Sequence, residues 1–461
     1  MMIKRMNTSE QTPKRIHLIG VGGIGVSAVA SFFARSGAIL SGTDLELPPP
    51  ELLPEGYFLA GHHPELVTED VDLVVFSDAV PENDPERARA KRLGVRSLNF
   101  ADTLGVVTAE YDTIAISGTH GKSTTTALTG LLFEAAGMDP NVFVGAVVPS
   151  WGKNVRFGAN NAPFIVEADE YRAHMMSLHP TTITITNLEW DHPDYYRDIA
   201  QLLSLFDRFL SKLDSTSGTA IINADDAHAR HAASSMKTRK VTYSVDGTAD
   251  LVLRTSPHDP MQFSLEWQGS TLGEFTTLLP GHYNKSNIAA ALATFLSRSN
   301  RTDIIAPVLA QFSGIGRRFE ILGEVRGTTI VSDYAHHPTA LRSVFHAANE
   351  RYPGKRILVA FRPHQQERTR KLFDAYVQVI EQIPDLVLLE IYDVPGRESD
   401  EPISSRELLR AAFMDTQDGQ HRFAADLAEA EQMLRAELGK YDVILVVGAG
   451  DADKLARALL R

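Results

Sequence analysis

Twice in this chain an apolar run gives way to a glycine-rich turn and then to a helix-forming stretch. That repeat restricts the fold more than any other feature. The first instance is residues 16–20, then Val21-Gly22-Gly23-Ile24-Gly25, then a helix predicted over 26–35. The second is residues 113–117, then Gly118-Thr119-His120-Gly121-Lys122-Ser123-Thr124, with helix predicted over 124–136. Short, wholly apolar strands have no face for water, so they suit parallel sheets covered by helices on both sides. Strands alternating with helices predict doubly wound α/β units.

Further strands are expected at 38–42 and 71–76 in the first unit, and at 164–167, 182–187 and 219–223 in the second. Residues 241–279 alternate in places and read as antiparallel β, followed by a helix over 287–297. A third unit carries strand candidates at 328–333, 356–361, 386–392 and 443–447, with Gly314 and Gly316 where a linker would fall. The expected division is a polar tail (1–15), a first α/β unit (16–104), a central unit (105–315) and a C-terminal unit (316–461). A chain of 461 residues is long enough for several such cores.

Composition removes some functions. The formal net charge is −13, which disfavours a sequence-independent grip on nucleic acid, although a few amides and cations can still hold a small phosphate ligand. There are no cysteines, so disulfides, thiolate metal sites and a cysteine nucleophile are excluded. No run of about 18 apolar residues reads as a membrane span, and the polar start is unlike a secretory signal.

The first turn fits G-x-G-x-x-G through Gly20, Gly22 and Gly25, with Gly23 and Ile24 between them, and an acid, Asp44, follows about 20 residues on. Such a turn takes a pyrophosphate at the helix N-terminus. NAD(P), the diphosphate of a UDP-sugar and a bare strand–helix turn all remain compatible with it. The second turn ends in Gly-Lys-Ser like a phosphate loop, although Ile116 stands where the strict pattern has glycine. Its amides would cradle phosphates, Lys122 would neutralise them and Ser123 would reach Mg2+. Glu167-Ala168-Asp169-Glu170 and Asn187-Leu188-Glu189-Trp190-Asp191-His192 each follow a strand, where α/β sheets place ligands. Hard oxygens there suit Mg2+, or the run is simply a solvated acidic loop. Asn287 could be no more than a helix cap. Arg317-Arg318 lies at the third unit's start, and an Arg at a seam can reach a phosphate across a cleft. Asp333-Tyr334-Ala335-His336-His337, Arg362-Pro363-His364 with Arg368, and Gly448-Ala449-Gly450-Asp451 end three strands and suggest one binding face.

Taken in order from about Arg15 onward, these elements resemble the Mur ligases of cell-wall synthesis. Gly118–Thr124 is similar to that family's ATP loop, 187–192 to its N-x-E-x-D-H element, 281–287 to its G-x-H-N-x-x-N element, and the three late strand ends to its C-terminal set. The turn at 20–25 with Val26-Ser27, and Glu170-Tyr171-Arg172-Ala173-His174, resemble the alanine-adding branch. A peptide-recycling branch is the nearest alternative. An NAD-dependent oxidoreductase with an incidental Gly-Lys-Ser turn is an alternative of another class, and it leaves the later motifs unexplained.

The resemblance implies a cytoplasmic enzyme, monomer or homodimer, with a Rossmann-like N-terminal unit, a central ATPase-like unit with extra antiparallel strands and a Rossmann-like C-terminal unit. It implies ATP and Mg2+ as cofactors, with UDP-N-acetylmuramate and L-alanine as substrates, joined through an acyl phosphate. It places Gly118, Thr119, His120, Gly121, Lys122, Ser123, Thr124, Asn284, Asn287, Arg318 and Asp333 around ATP. Ser123, Glu167 (with Glu170 as alternative) and His192 would hold metal. His336, His337, His364 and Arg368 would face the amino acid and acyl phosphate. Gly20, Gly22, Gly23, Ile24, Gly25 and Asp44 would face UDP. Three residues depart from the family pattern: Tyr283 for His, Ser332 for Asp and Arg362 for Gln. No lysine lies between His192 and Ser211, unlike the branches that use a modified lysine there.

Overall fold

The computed structural model describes residues 13–50, 53–159, 161–393, 402–413 and 419–461. The expected tail therefore lies, up to residue 12, outside the described residues. The first sheet contains β1 (Arg15–Ile19), β2 (Ile39–Asp44), β3 (Tyr57–Ala60), β4 (Leu73–Phe76) and β5 (Ser97–Asn99). All its pairs are parallel and the order is β3-β2-β1-β4-β5, so the chain reverses its winding beside β1. The glycine-rich turn leaves β1 at this switch point, where such sheets open a crevice.

The central sheet has ten strands: β6 (Thr113–Ser117), β7 (Asn141–Val148), β8 (Lys153–Arg156), β9 (Phe164–Glu167), β10 (Thr182–Ile185), β11 (Thr219–Asn223), β12 (Arg239–Val245), β13 (Leu251–Thr255), β14 (Gln262–Trp267) and β15 (Ser270–Thr276). In the order β15-β14-β13-β12-β11-β10-β6-β9-β7-β8, β6 lies between β9 and β10. The phosphate-type turn and both acidic segments therefore leave the same edge side by side. The antiparallel reading of 241–279 needs correction, because β12 and β13 pair in parallel and only β13-β14-β15 are antiparallel. Their alternation reflects one covered and one half-open face rather than strand direction.

The third sheet contains β16 (Glu320–Val325), β17 (Thr328–Asp333), β18 (Ile357–Arg362), β19 (Leu386–Leu389), β20 (His421–Ala424) and β21 (Val443–Gly448) in the order β16-β17-β21-β18-β19-β20. It is parallel except for β16. The three polar strand ends read from the sequence belong to its neighbours β17, β21 and β18.

The units are joined unequally. One apolar core runs from the first unit into the central one: Phe32, on the helix Ile24–Arg35, meets Phe143 and Phe164 with ring centroids 6.3 Å apart in each case. The helix Phe100–Thr108 presses on the segment 171–177 so closely that a Cβ on Gly105 would stand 2.4 Å from the Ser177 carbonyl oxygen. A unit boundary at 104/105 would cut this helix, so the break falls between its end and β6. The C-terminal unit has its own core and meets the rest through polar contacts and the Tyr283 ring. Among the described residues no helix is long and apolar enough to cross a membrane.

Candidate active site

The turn after β6 has a shape that only glycine permits. Gly118 and Gly121 have φ of +134° and +82°, and a Cβ on Gly121 would lie 2.0 Å from Asn287 Oδ1. Asn187 braces the turn from both sides, accepting from His120 N at 3.0 Å and donating from Nδ2 to the His120 carbonyl at 2.9 Å. Gly121 caps the helix Lys122–Ala135, so the amides of its first turn have no intrahelical partners and suit an anion. Lys122 Nζ donates to the Gly118 carbonyl (2.7 Å) and to Glu170 Oε2 (2.6 Å). Burial works against its charge, but the Glu170 and Asp169 carboxylates outweigh it and raise the lysine pKa.

The two acids left open by the sequence have different surroundings. Glu167 faces Ser123, which donates to its Oε1 at 3.0 Å, and Gly145 N donates to its Oε2 at 2.6 Å. Glu170 lies 1% exposed behind Lys122, and burial pushes its carboxyl up to about 8 against the pull of that lysine. Its other oxygen, Oε1, has no hydrogen-bond partner and lies 3.8 Å from His192 Nε2. His192 has φ +53°, which few non-glycine residues adopt, and its buried Nδ1 is also unpartnered. Glu167 thus stands beside Ser123, whereas Glu170 is occupied by Lys122.

Across the seam, Arg368 (1% exposed) donates from Nε to Asp191 Oδ1 at 2.8 Å. Burial alone would raise the Asp191 carboxyl, but Arg368 and nearby histidines hold it well below the usual range. His336 Nε2 approaches the same carboxylate at 3.9 Å, and Arg368 Nη1 lies 3.1 Å from His364 Nδ1. Burial and the Arg368 charge hold the His336 imidazole well below its ordinary pKa, so it is neutral. A second crossing point is Glu189, whose Oε1 accepts from Thr339 Oγ1 at 2.6 Å while its Oε2 lies 3.0 Å from His120 Nε2 and 3.5 Å from His337 Nδ1. Burial would raise this carboxyl, but the bonds from His120 and Thr339 and the His337 charge bring it down to about 2. The sequence offers Glu189 and Asp191 only as members of an acidic run suited to Mg2+, and it gives Thr339 no role. The first two lie in the segment 187–192 and bond across the seam, whereas nothing in the sequence marks Thr339.

A cavity of about 1150 Å3 opens between the three units. Thr119 to Thr124, Glu167, Glu170, His192, Asn287, Arg318, Asp333, His336, His364 and Arg368 line it, and so do Ile24 and Gly25 of the first turn. Other expected residues do not reach it. Gly20, Gly22, Gly23 and Asp44 are absent from its walls, and Gly22 N donates to Asp44 Oδ2 at 2.8 Å, so the acid closes the turn on itself. Gly25 is required by packing, since a Cβ would lie 2.9 Å from the Phe100 ring. Asn284 turns back to the Pro280 carbonyl (2.8 Å) and supports Asn287. Asn287 is not a cap, because the helix runs His282–Leu296 with Gly281 at its N-cap. Asp333 accepts from Phe319 N and Ala335 N, both at 2.7 Å, which makes it the brace of the seam turn that presents Arg318. Of the residues that depart from the family pattern, Arg362 pairs with Asp451 and Ser332 donates to Asp453 at 2.8 Å.

Known proteins match this arrangement along the chain. Family models described as Mur ligase family, catalytic domain, as Mur ligase middle domain, and as Mur ligase, glutamate ligase domain match residues 15–112, 116–295 and 317–450. A curated UDP-N-acetylmuramate–L-alanine ligase of Alkaliphilus metalliredigens is 33% identical, with 98% of each chain aligned. One of the same name from Trichlorobacter lovleyi is also 33% identical over 97% of this chain and 98% of its own. The solved UDP-N-acetylmuramate–alanine ligase of Thermotoga maritima superposes with TM-score 0.78 at 26% identity, covering 97% of this chain and 98% of that one. A murein peptide ligase of Psychrobacter arcticus shares the fold at TM-score 0.72 and 21% identity, covering 97% and 98%. The three units of the structure are thus matched in order by family models over residues 15–112, 116–295 and 317–450, and the chain belongs to the Mur ligase family.

Proposed function

We propose that this chain joins L-alanine to the lactyl carboxylate of UDP-N-acetylmuramate at the expense of ATP, in peptidoglycan synthesis in the cytoplasm, as a monomer or homodimer. The observation that carries this reading is the end-to-end similarity, at 33% identity, to curated enzymes of that name, together with a cavity walled by all three units. The likeness to a murein peptide ligase, at 21% identity, speaks for the fold alone.

The residues supply a coherent chemistry. A carboxylate is a poor electrophile, and phosphorylation turns it into a good one. The substrate carboxylate oxygen attacks the γ-phosphorus, the bond to the β-phosphate oxygen breaks, and ADP leaves. Lys122 and the amides around it receive the phosphate charge, and Arg318 faces the cavity from the seam. Ser123 and Glu167 would hold Mg2+, with His192 for a second ion, and the Ser123–Glu167 contact and the unpartnered Nδ1 of His192 fit that use. Mg2+ in such a place neutralises charge on transferring phosphates. The amine of L-alanine then attacks the acyl carbon, a tetrahedral intermediate collapses, and phosphate departs. His336 lines the cavity with Nδ1 held 3.1 Å from the Tyr334 carbonyl, so its other nitrogen is placed to receive the proton that the amine loses. Most of the acceleration in this scheme comes from position and charge.

The test is phosphate release from Mg2+-ATP and UDP-N-acetylmuramate, with L-alanine, glycine, L-serine or L-alanyl-γ-D-glutamyl-diaminopimelate added singly. Release that requires L-alanine supports the proposal. Release only with the tripeptide moves the chain to the recycling branch, and tight nicotinamide binding without release would favour the oxidoreductase.

A further inference from the structure

His120, Glu189 and His337 each offer one ligand atom, and these atoms lie within 4.8 Å of one another. The carboxylate stands between the imidazoles, 3.0 Å from His120 Nε2 and 3.5 Å from His337 Nδ1. Behind it, Thr339 Oγ1 donates to the far oxygen at 2.6 Å and fixes the plane of the carboxyl. Hydroxyl support behind a ligating carboxylate is common at metal sites, because it orients the ligand before the ion arrives. Glu189 is ionised, His120 presents Nε2, and His337 presents Nδ1, whose long 3.4 Å cap bond from Thr339 N the ion would replace.

We propose that these three residues form a site for one zinc-class transition-metal ion that clamps the C-terminal unit onto the phosphate loop. The carboxylate is a hard ligand that either ion accepts, but two imidazoles are borderline ligands suited to Zn2+ rather than to Mg2+. Tetrahedral zinc–nitrogen and zinc–oxygen bonds of about 2.0–2.2 Å set ligand atoms about 3.4 Å apart; both Glu189 distances are near that, and the two imidazole nitrogens, within 4.8 Å, draw together by up to about an ångström and a half. His120 is exposed enough to do so, whereas His337, 3% exposed, holds the fixed side. Glu189 and His120 also line the cavity, so the fourth position opens toward it and takes water. The site is separate in composition from the Ser123, Glu167 and His192 set. His120 and Glu189 belong to the central unit and His337 to the C-terminal unit, so the ion completes its shell only when the two are docked. Its predicted effect is to hold the cleft shut and slow turnover.

The experiment titrates Zn2+ alone into the full-length protein, with Mg2+ in excess, against a chromogenic chelator, while small-angle scattering follows compaction. The expected result is one ion per chain, a smaller radius of gyration, and binding about tenfold weaker in Thr339→Val and at least about a hundredfold weaker in His337→Ala. Co2+ in place of Zn2+ should give a visible absorption band that is lost in His337→Ala and that needs about tenfold more Co2+ to appear in Thr339→Val. Thr339→Val carries the test if His337→Ala does not fold. Unchanged affinity in both variants would overturn the proposal, and so would an ion lost on His192→Ala but kept on His337→Ala. No substrate is used, so the outcome does not depend on which reaction the enzyme catalyses.

Discussion

Arg368→Met removes a guanidinium that is 1% exposed while keeping much of the side chain's bulk. Asp191, 5% exposed, is left in the seam with the His192 amide at 2.6 Å and two imidazoles at 3.9 Å as its remaining partners. Breaking one side of a buried ion pair costs about 3–5 kcal/mol, because the orphaned charge stays desolvated. Here the orphan can escape. Asp191 belongs to the central unit and Arg368 to the C-terminal unit, so opening the cleft lets water reach the carboxylate. The cost therefore falls on docking rather than on folding, and disfavours the closed arrangement by roughly 150- to 5,000-fold. Small-angle scattering of the ligand-free variant should show a larger radius of gyration than wild type, with little change in the melting temperature of the first two units. Asp191→Leu combined with Arg368→Met should recover much of the compaction, since the pair is then absent rather than broken. If the single variant stays as compact as wild type, or the two substitutions act additively, the seam is not held in this way.

Gly121→Ala places a Cβ where Asn287 Oδ1 stands and forces an L-residue to φ +82°, so ATP affinity measured by calorimetry should fall by about 1–3 kcal/mol, roughly 5- to 150-fold; affinity equal to wild type would contradict the geometry. Lys122→Ala should fold yet lose about a hundredfold or more in phosphate release, and full activity would remove the loop from the reaction. His336 is held well below its usual pKa by burial, so the unfolded chain takes up that proton first as pH falls through about 6.5. Its contribution to stability is thus complete above that pH and lost below it. On acidification the wild type should lose melting temperature relative to His336→Gln, and parallel curves for the two proteins would refute the assignment.

The legible parts of the fold were those with no exposed face. β6, β9, β11 and β17 were read residue for residue because each is a nearly continuous buried run. Edge strands were missed: β3, β5, β16 and β20 are short or half-exposed and mix polar with apolar residues, so no period stands out. The helix His282–Leu296 was read five residues late, since Asn284 and Asn287 look like turn or cap residues while in fact they are buried inside it. Within the site, the loop glycines announce themselves through backbone demands that few other residues meet, and Lys122 through a charge set directly after them. The crossing contacts do not, because Arg368 to Asp191 and Thr339 to Glu189 join residues far apart in the chain, and a single sequence carries no record of which acid faces which base.

The shared apolar core between the first two units has a consequence for how binding free energy is divided. Phe32, Phe143 and Phe164 fill one interior, and Gly105 lets a helix lie directly on the neighbouring backbone, so the groove between these units keeps its shape before any substrate arrives. A molecule lodged there loses mainly its own freedom. A molecule that also needs the C-terminal wall must bring that wall with it, and gives up affinity for the ordering involved. Inhibitors confined to the first two units thus meet a preformed mould, whereas those that mimic the amino-acid end must first assemble theirs.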